Sequence, residues 1–307
     1  MIHCRGYLTA DIGLALKKKF GVKFFFDMRG FWADEKKDGG AWNENHPVFR
    51  FVYRYYKKKE KSFIREADCI ISLTEAGRSE ILKWSSYTDS VPIRVIPCCA
   101  DIELFSVVKQ NEKAESRKKL GIDSEKLVIS YLGSLGSWYM LSEMLDFFVV
   151  VKNEYPGALF LFVTHSSPVL VMKLLKAKGL NENDIKITEA RREEVPVFIK
   201  ASDFSLSFIK PVYSKISSSP TKLGEILSMG IPVVANSGVG DIKETIINSG
   251  GGIIINNFSS TEYKEVVSKI PELLNTDPAG IRKNVSEMYD LRKGVLRYDE
   301  AYKLCIG

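Results

Sequence analysis

The feature that most constrains the fold is a repeated alternation of short apolar segments with helical segments of about 10–15 residues. Some apolar segments, such as 158–163 and 253–255, contain no polar residue. Strands of this kind are typical of parallel sheets whose two faces are both covered by helices. Because the alternation occurs in two series separated by a polar segment, the sequence predicts an α/β fold with two doubly wound domains.

The first series predicts an amino-terminal domain over residues 1–105. Strands are expected at Met1–Cys4, Val22–Phe26, Cys69–Leu73 and Ile93–Ile96. Helices are expected at Ala10–Phe20, Pro47–Ala67 and Glu75–Ser85. A doubly wound nucleotide-binding domain usually has five or six strands, so we expect this domain to be incomplete.

The second series predicts a domain over residues 106–290, and the polar segment Phe105–Glu115 is interpreted as an interdomain linker. Six strands are expected in this domain, at Lys126–Leu132, Ala158–Thr164, Ile185–Thr188, Phe204–Phe208, Ile231–Ala235 and Gly252–Ile255. We expect residues 291–307 to form a closing helix that packs back on the first domain.

The composition excludes several classes of protein. The 307 residues are 45% hydrophobic and 27% charged, which is ordinary for a globular chain and excludes disorder, collagen and coiled coil as the overall class. No segment approaches the ~18–20 apolar residues of a membrane span. No basic leader followed by an apolar core is visible, so we expect no secretory signal.

Cysteine, histidine and charge counts limit the compartment and the partners. Five cysteines without a CxxC spacing favour the reducing cytoplasm, and three histidines make a histidine-rich metal site improbable on composition. We expect neither a metal nor another cofactor. The net charge of +6 permits an anionic partner. However, the basic residues are spread over many helices without a recognisable nucleic-acid module, so no nucleic-acid partner is expected.

Ligands of open parallel sheets bind at the carboxyl ends of the strands, and this rule selects five loops. They are Asp27–Gly30, Ser72–Glu75, Gly133–Gly136, Lys210–Lys222 and Asn236–Asp241. Each is rich in small, polar or charged residues.

The turn Gly133-Ser134-Leu135-Gly136 lies between a strand and a helix. Such a turn allows backbone N–H groups to approach a phosphate, with help from the helix dipole. The alternative is a plain βα turn that needs glycine, because the turn is neither a GxGxxG nor a Walker A motif.

The segment 217–235 is more specific. A serine- and proline-rich loop opens a helix with Thr221 near its start, and Glu225 follows about one turn later. Gly230 ends this helix before a buried strand. A carboxylate in this position can accept hydrogen bonds from both hydroxyls of a ribose; the alternative is an exposed helix glutamate.

The order P-x-K-x-x-E-x-x-x-x-G-x-P-V-V-A in this segment resembles the signature of the group 1 (family 4) retaining glycosyltransferases, which have the GT-B fold of two Rossmann-like domains. Four further segments are similar to motifs of that family, namely Ala67–Glu75, Val95–Phe105, Tyr131–Gly136 and Ala201–Asp203. The resemblance covers roughly residues 20–305, and the motifs are specific when taken together.

The resemblance implies a nucleotide-diphosphate sugar as donor, held mainly by the second domain without a metal. It assigns Glu225 to the donor ribose and assigns Gly133, Ser134 and Gly136 to the diphosphate. Lys222 falls where the donor loop is contacted, and its ammonium can pair with a phosphate; the alternative is a solvated lysine. Thr221 opens the same helix and is included in the expected donor site.

Two departures from the family pattern are visible. Ser217 stands eight positions before Glu225, where most members carry a glutamate. A serine can hydrogen-bond a sugar hydroxyl but brings no charge. The Arg and Lys that commonly neutralise the diphosphate are also missing after Gly133, so the leaving group needs other cations. The candidates are Lys210, Lys215, Lys222, Arg191 and Arg192.

On the acceptor side, Asp27 and Arg29 are the charged residues at the end of the second predicted strand. Asp27 is expected to orient an acceptor hydroxyl and Arg29 to hold phosphate, and both are taken as catalytic candidates. The alternative is an ion pair that fixes a local turn. Glu35 in the following loop is a weaker candidate.

The segment 49–65 contains seven basic residues among aromatic ones. A basic, aromatic helix can lie on an anionic membrane surface, and many members of the resembled family glycosylate lipid-linked acceptors. The alternative is an amphipathic helix with its aromatics in the core.

Together these features predict a retaining hexosyltransferase that acts on a glycan or lipid-linked acceptor in surface polysaccharide or glycolipid synthesis. It is expected in the cytoplasm, at the inner face of the membrane. Two other readings stay open: a catalytically degenerate nucleotide-sugar-binding protein, favoured by Ser217 and the short first domain, and a nucleotide-sugar epimerase.

Overall fold

A computed structural model describes residues 1–306 and contains two parallel sheets. The first sheet has four strands side by side in chain order: β1 (Ile2–Arg5), β2 (Phe24–Asp27), β3 (Cys69–Ser72) and β4 (Ile93–Val95). The second sheet has six strands: β5 (Val128–Leu132), β6 (Leu159–Val163), β7 (Ile185–Thr188), β8 (Phe204–Ser207), β9 (Val233–Asn236) and β10 (Gly252–Ile255). Their spatial order is β10-β9-β8-β5-β6-β7. The predicted α/β fold with two parallel sheets is confirmed.

Helices connect the strands. In the first domain they are α1 (Tyr7–Phe20), α2 (Trp32–Asp38), α3 (Pro47–Glu66) and α4 (Glu75–Ile81). In the second domain they are α5 (Gln110–Leu120), α6 (Leu141–Glu154), α7 (Pro168–Ala177), α8 (Val195–Ala201), α9 (Thr221–Ser228), α10 (Ile242–Ser249), α11 (Ser260–Ser268), α12 (Ile270–Leu274) and α13 (Pro278–Tyr289). The last helix is α14 (Leu291–Ile306), and short 3-10 turns occur at Glu182–Asp184 and Tyr213–Ser217.

The four central strands of the second sheet, β5, β6, β8 and β9, are buried along their whole length, because helices cover both faces of the sheet. Successive residues of a strand point to opposite faces of the sheet. Val128 of β5 accordingly joins a core with Leu223 of α9, whereas Ile129 joins a separate core with Phe147 of α6. The first of these cores fixes the position of α9, the helix on which the strongest sequence motif lies.

The closing helix α14 leaves the second domain and packs on the first sheet. Its Ala301 and Cys305 are buried against Phe25 of β2 and against Cys69 and Ile71 of β3. The predicted closing segment 291–307 extends one residue beyond the described part of the chain. The carboxyl terminus of the chain therefore helps to support the amino-terminal sheet.

The prediction of a linker over Phe105–Glu115 was wrong for residues 110–115, because α5 begins at Gln110. This helix is anchored to the second domain by two ion pairs to one carboxylate. Lys113 Nζ lies 2.6 Å from Asp203 Oδ1, and Arg117 Nη2 lies 2.7 Å from Asp203 Oδ2. Charged residues that looked like a solvated linker thus hold a helix in place.

Candidate active site

The carboxyl ends of the two sheets face each other, and one segment of the second domain, residues 214–219, joins them. This joining segment makes hydrogen bonds to loops that follow three strands of the first sheet. The bonds are Phe31 N–H to Ser217 Oγ (2.8 Å), Thr74 Oγ1 to the Ile216 carbonyl (2.8 Å) and Cys98 N–H to Ser219 Oγ (3.2 Å). The loops after β2, β3 and β4 therefore meet the joining segment, which is part of the selected loop Lys210–Lys222, in one cleft between the domains.

A pocket of about 510 Å³ opens beside this cleft in the second domain. It is bounded by the ends of β5 and β6 and by the first turns of α9. Its lining includes Gly133, Ser134, His165, Lys222 and Glu225. Four residues that the sequence assigned to the donor thus line a single pocket.

Glu225 lies in the second turn of α9 and is only 7% exposed. Its Oε1 accepts a hydrogen bond of 2.8 Å from Nη1 of Arg192, whose guanidinium also lies over the Phe105 ring at 5.3 Å. Arg191 is exposed, and its backbone N–H donates to the Glu194 carboxylate. The cation beside the predicted ribose residue is therefore Arg192, whereas the expected donor residue Arg191 lies outside the pocket lining.

Lys222 lies one helical turn before Glu225, beneath the turn Gly133–Gly136, which is called the glycine turn below. Its Nζ donates to the Leu132 carbonyl at 2.9 Å and lies 4.3 Å and 4.0 Å from the ring centres of Tyr131 and Tyr139. Burial lowers the pKa of this ammonium to about 7. A carboxylate partner for the charge is missing from the hydrogen bonds and ion pairs found over residues 1–306. The site thus holds a cation that an incoming anion would stabilise.

The glycine turn approaches Lys222 closely because it lacks a side chain at the critical position. Gly133 has φ of +123°, and a Cβ there would lie 3.4 Å from Lys222 Nζ. The Gly133 N–H already donates to Val163, and the Leu135 N–H donates to Ser166 Oγ. Ser134 is exposed at the mouth of the pocket, and Gly136 also has a positive φ. Thr221, the first residue of α9, is half-buried.

Ser217 is buried, with 2% exposure, and it joins the domains rather than lining the pocket. Its Oγ donates to the Ser214 carbonyl at 3.0 Å and accepts from the Phe31 N–H. A Cβ at Gly30 would lie 3.1 Å from the same oxygen. The serine that replaces the expected glutamate therefore has its hydrogen bonds within the protein.

Lys215 reaches across the cleft to the first domain. Its Nζ lies 2.7 Å from Glu35 Oε1 and 3.8 Å from the ring centre of Trp138. Burial, with a contribution from the Glu35 carboxylate, raises the pKa of Tyr139. Trp138 and Tyr139 are neighbours in the chain, and the Tyr139 ring contacts Lys222. Lys210, another candidate cation, is exposed.

The two acceptor-side candidates have different surroundings. Asp27 is buried beneath α14, where its Oδ2 accepts from Tyr298 Oη at 2.9 Å and lies within 3.7 Å of His3 and Arg5 side chains. Its Oδ1 has no partner among the described residues. Arg29 has φ of +58°, and its Nη2 contacts Cys98 Sγ at 3.5 Å, next to the joining segment. Only Arg29 is close to the second domain.

Sequence reasoning missed the aromatic residues and Arg192 as the Glu225 partner. Rings of Tyr131, Trp138 and Tyr139 lie against the amino groups of Lys215 and Lys222, yet the sequence indicated only that this stretch lacked cations. The signal was the aromatic pair directly after the glycine turn. Over residues 1–306, no cluster of three or more His, Cys, Asp and Glu side chains is arranged to hold a metal.

The comparison with protein families decides the family. The model of the family described as "Glycosyl transferases group 1" matches residues 112–286, more than half of the chain. The chain belongs to the group 1 glycosyltransferases. The match contains the whole pocket, from Gly133 to Glu225.

Curated and solved relatives are distant. A D-inositol 3-phosphate glycosyltransferase of Segniliparus rotundus is 20% identical over 88% of this chain and 58% of its own length. A trehalose synthase of Pyrococcus horikoshii is 24% identical over 86% of this chain and 63% of its own length. The chain thus spans about three fifths of these relatives.

Among solved structures, HepE of Anabaena in complex with UDP superposes with a TM-score of 0.74 at 15% identity, over 98% of this chain and 78% of that one. This likeness concerns the fold, and it agrees with the predicted GT-B arrangement of two Rossmann-like domains.

Proposed function

We propose that this chain is a glycosyltransferase that moves a hexosyl group from a nucleotide-diphosphate sugar to a glycan or lipid-linked acceptor. The observation that carries the proposal is the pocket in which Glu225, Lys222 and the glycine turn come together. Family membership favours a transferase over an epimerase. The HepE structures, with UDP or UDP-glucose, support a nucleotide-sugar donor.

In this proposal the donor lies along α9. Glu225 accepts hydrogen bonds from the ribose hydroxyls and releases the Arg192 guanidinium, which then turns to the diphosphate. Lys222, together with the Ser134 and Gly136 amides, meets the charge that develops on the leaving diphosphate. We assign this role to these cations rather than to a metal ion. Lys215, the third cation of the cleft, is paired with Glu35.

On the acceptor side, Arg29 is proposed to hold an anionic part of the acceptor at the cleft. Asp27 is proposed to orient it through its unpartnered Oδ1, after movement of α14 opens the site. Retention of the anomeric configuration is carried over from the family resemblance. The anomer of the product, observed by NMR, tests it directly.

A donor screen followed by a hydrolysis assay tests the proposed function. UDP-, GDP- and ADP-sugars are compared by thermal shift, because a ligand that binds only the folded protein raises its melting temperature. Slow release of the nucleoside diphosphate without an acceptor is the expected result for the stabilising donor. Binding without any turnover would support the degenerate sugar-binding protein instead.

The outer face of α3 supports a peripheral membrane location, at the cytoplasmic face of the membrane. Phe51 is 71% exposed beside Val48 and Tyr55, which are also exposed. Arg54 and Lys58 are exposed on the same helix, whereas Lys57 is turned inward, 2.8 Å from Asp34. Exposed aromatic and basic residues on one helix are typical of helices that bind anionic lipid surfaces. Over residues 1–306, no helix has the length and apolar content that crossing a bilayer requires.

Vesicle flotation tests this location. Phosphatidylcholine vesicles with phosphatidylglycerol should carry the protein, and vesicles without it should carry much less. The double change Arg54→Glu and Lys58→Glu should abolish flotation. The matched control, Lys118→Glu with Lys119→Glu on the exposed face of α5, should leave it intact. Equal loss in both double variants would contradict a role for α3.

A further inference from the structure

The position at which the family resemblance expects a carboxylate for the donor sugar is occupied by Ser217. This hydroxyl is buried and already donates to Ser214 and accepts from Phe31. A sugar hydroxyl could reach it only if the two domains separated. Some other group must therefore supply hydrogen-bond acceptors to the sugar.

A carboxylate is present close by, but it comes from the first domain. Glu35 lies on α2, and its side chain is 40% exposed while its Oε1 is held 2.7 Å from Lys215 Nζ. Lys215 itself is 8% exposed and lies 3.8 Å from the Trp138 ring centre. The ion pair therefore aims Glu35 into the cleft, beside an aromatic ring of the second domain.

These groups continue the line of the proposed donor site. Glu225 marks the ribose end, and Lys222 lies one turn away at the diphosphate. Trp138, which contacts Lys215, directly precedes Tyr139, and the Tyr139 ring centre lies 4.0 Å from Lys222 Nζ. A chain of contacts through Lys215, Trp138 and Tyr139 therefore joins Glu35 to the proposed diphosphate site at Lys222.

We propose that Glu35, oriented by Lys215, is the carboxylate that binds hydroxyl groups of the donor sugar, so that specificity for the sugar is shared between the two domains. This inference rests on the proposed function. Carboxylates are strong acceptors for sugar hydroxyls because charge-assisted hydrogen bonds are short and strong. The nucleotide part of the donor is then recognised by the second domain alone.

The simpler interpretation is that the Glu35–Lys215 pair only holds the domains together. A second carboxylate of α2 provides the matched control for this interpretation. Asp38 Oδ2 accepts a hydrogen bond of 3.0 Å from the Ser214 N–H, so it joins the same helix to the same segment. A purely structural effect of Glu35 should be reproduced at Asp38.

The experiment measures dissociation constants by calorimetry for three ligand pairs: UDP and UDP-glucose, GDP and GDP-mannose, and ADP and ADP-glucose. For the pair that binds, Glu35→Gln should weaken the nucleotide-sugar roughly tenfold relative to the unaltered protein. The same variant should change the dissociation constant of the nucleoside diphosphate by no more than about twofold. Asp38→Asn should change the dissociation constants of both ligands by the same factor or leave both unchanged.

Two outcomes overturn the inference. In one, Glu35→Gln leaves the nucleotide-sugar affinity unchanged; in the other, it weakens both ligands equally, as a domain-joining role requires. Failure of the unaltered protein to bind any of the nucleoside diphosphates would instead contradict the proposed function, and the inference with it. Melting temperatures of both variants verify that they are folded.

Discussion

At the scale of single residues, Lys222 is the most unusual group of the site. A lysine with a pKa of about 7 is poised to gain a proton when an anion binds next to it. Burial between the end of β5 and two tyrosine rings causes the low value. At neutral pH the amino group of Lys222 is therefore charged in part of the molecules and neutral in the rest.

We expect the affinity for a nucleoside diphosphate to fall as the pH rises from 7 to about 9. Below the pKa of the unliganded protein, Lys222 is already charged. Above that pKa, Lys222 must take up a proton when the diphosphate binds, so the affinity falls by up to tenfold per pH unit. The phosphates themselves stay ionised above about pH 7. Calorimetry of UDP, GDP and ADP across this range measures how the affinity changes with pH. Lys222→Met should bind more weakly, with an affinity that does not change with pH. A flat profile for the unaltered protein would contradict this role for Lys222.

Residue roles could be predicted from the sequence only in part. One sequence motif contains both Lys222 and Glu225, and the glycine turn directly follows a strand. Their spacing along the chain is therefore enough to predict that they line the same pocket. The choice of Arg192 over Arg191 depends on which side chain of a loop turns toward α9. Spacing along the chain carries no such information.

At the scale of elements, the position of Glu225 depends on how closely α9 packs on α13. Gly224, its neighbour, allows this contact, since a Cβ there would lie 2.6 Å from the Tyr289 ring. The sequence placed α9 correctly because a helix start, an apolar face and a glycine end agree. It missed α2 and the start of α5, whose polar residues are explained only by contacts with other elements.

Gly224→Ala should force α9 and α13 apart and lower the free energy of unfolding by about 1–3 kcal/mol. Because Glu225 moves with α9, donor affinity should fall as well. Urea unfolding measures the first effect. Gly157→Ala is the control, since a Cβ there has open space and the change should be nearly neutral. Equal stability of both variants would show that α9 adapts easily.

At the scale of the whole molecule, hydrogen bonds between the two domains close the cleft. Asp241 of the second domain accepts hydrogen bonds of 2.7 Å and 2.9 Å from the Glu75 and Ala76 N–H groups at the start of α4. Ser217 adds a similar contact at α2. These roles depend on the relative placement of two domains, so the sequence assigned Ser217 to the donor rather than to the interface.

The central claim about the molecule is that the pocket at α9 binds a nucleotide through Glu225. The most direct measurement compares nucleoside diphosphate binding by the unaltered protein, by Glu225→Ala and by Glu265→Ala, an exposed glutamate of α11. Nucleotide binding through Glu225 predicts that Glu225→Ala binds at least roughly tenfold more weakly and that Glu265→Ala binds as the unaltered protein does. Binding by Glu225→Ala that equals binding by the unaltered protein would contradict it.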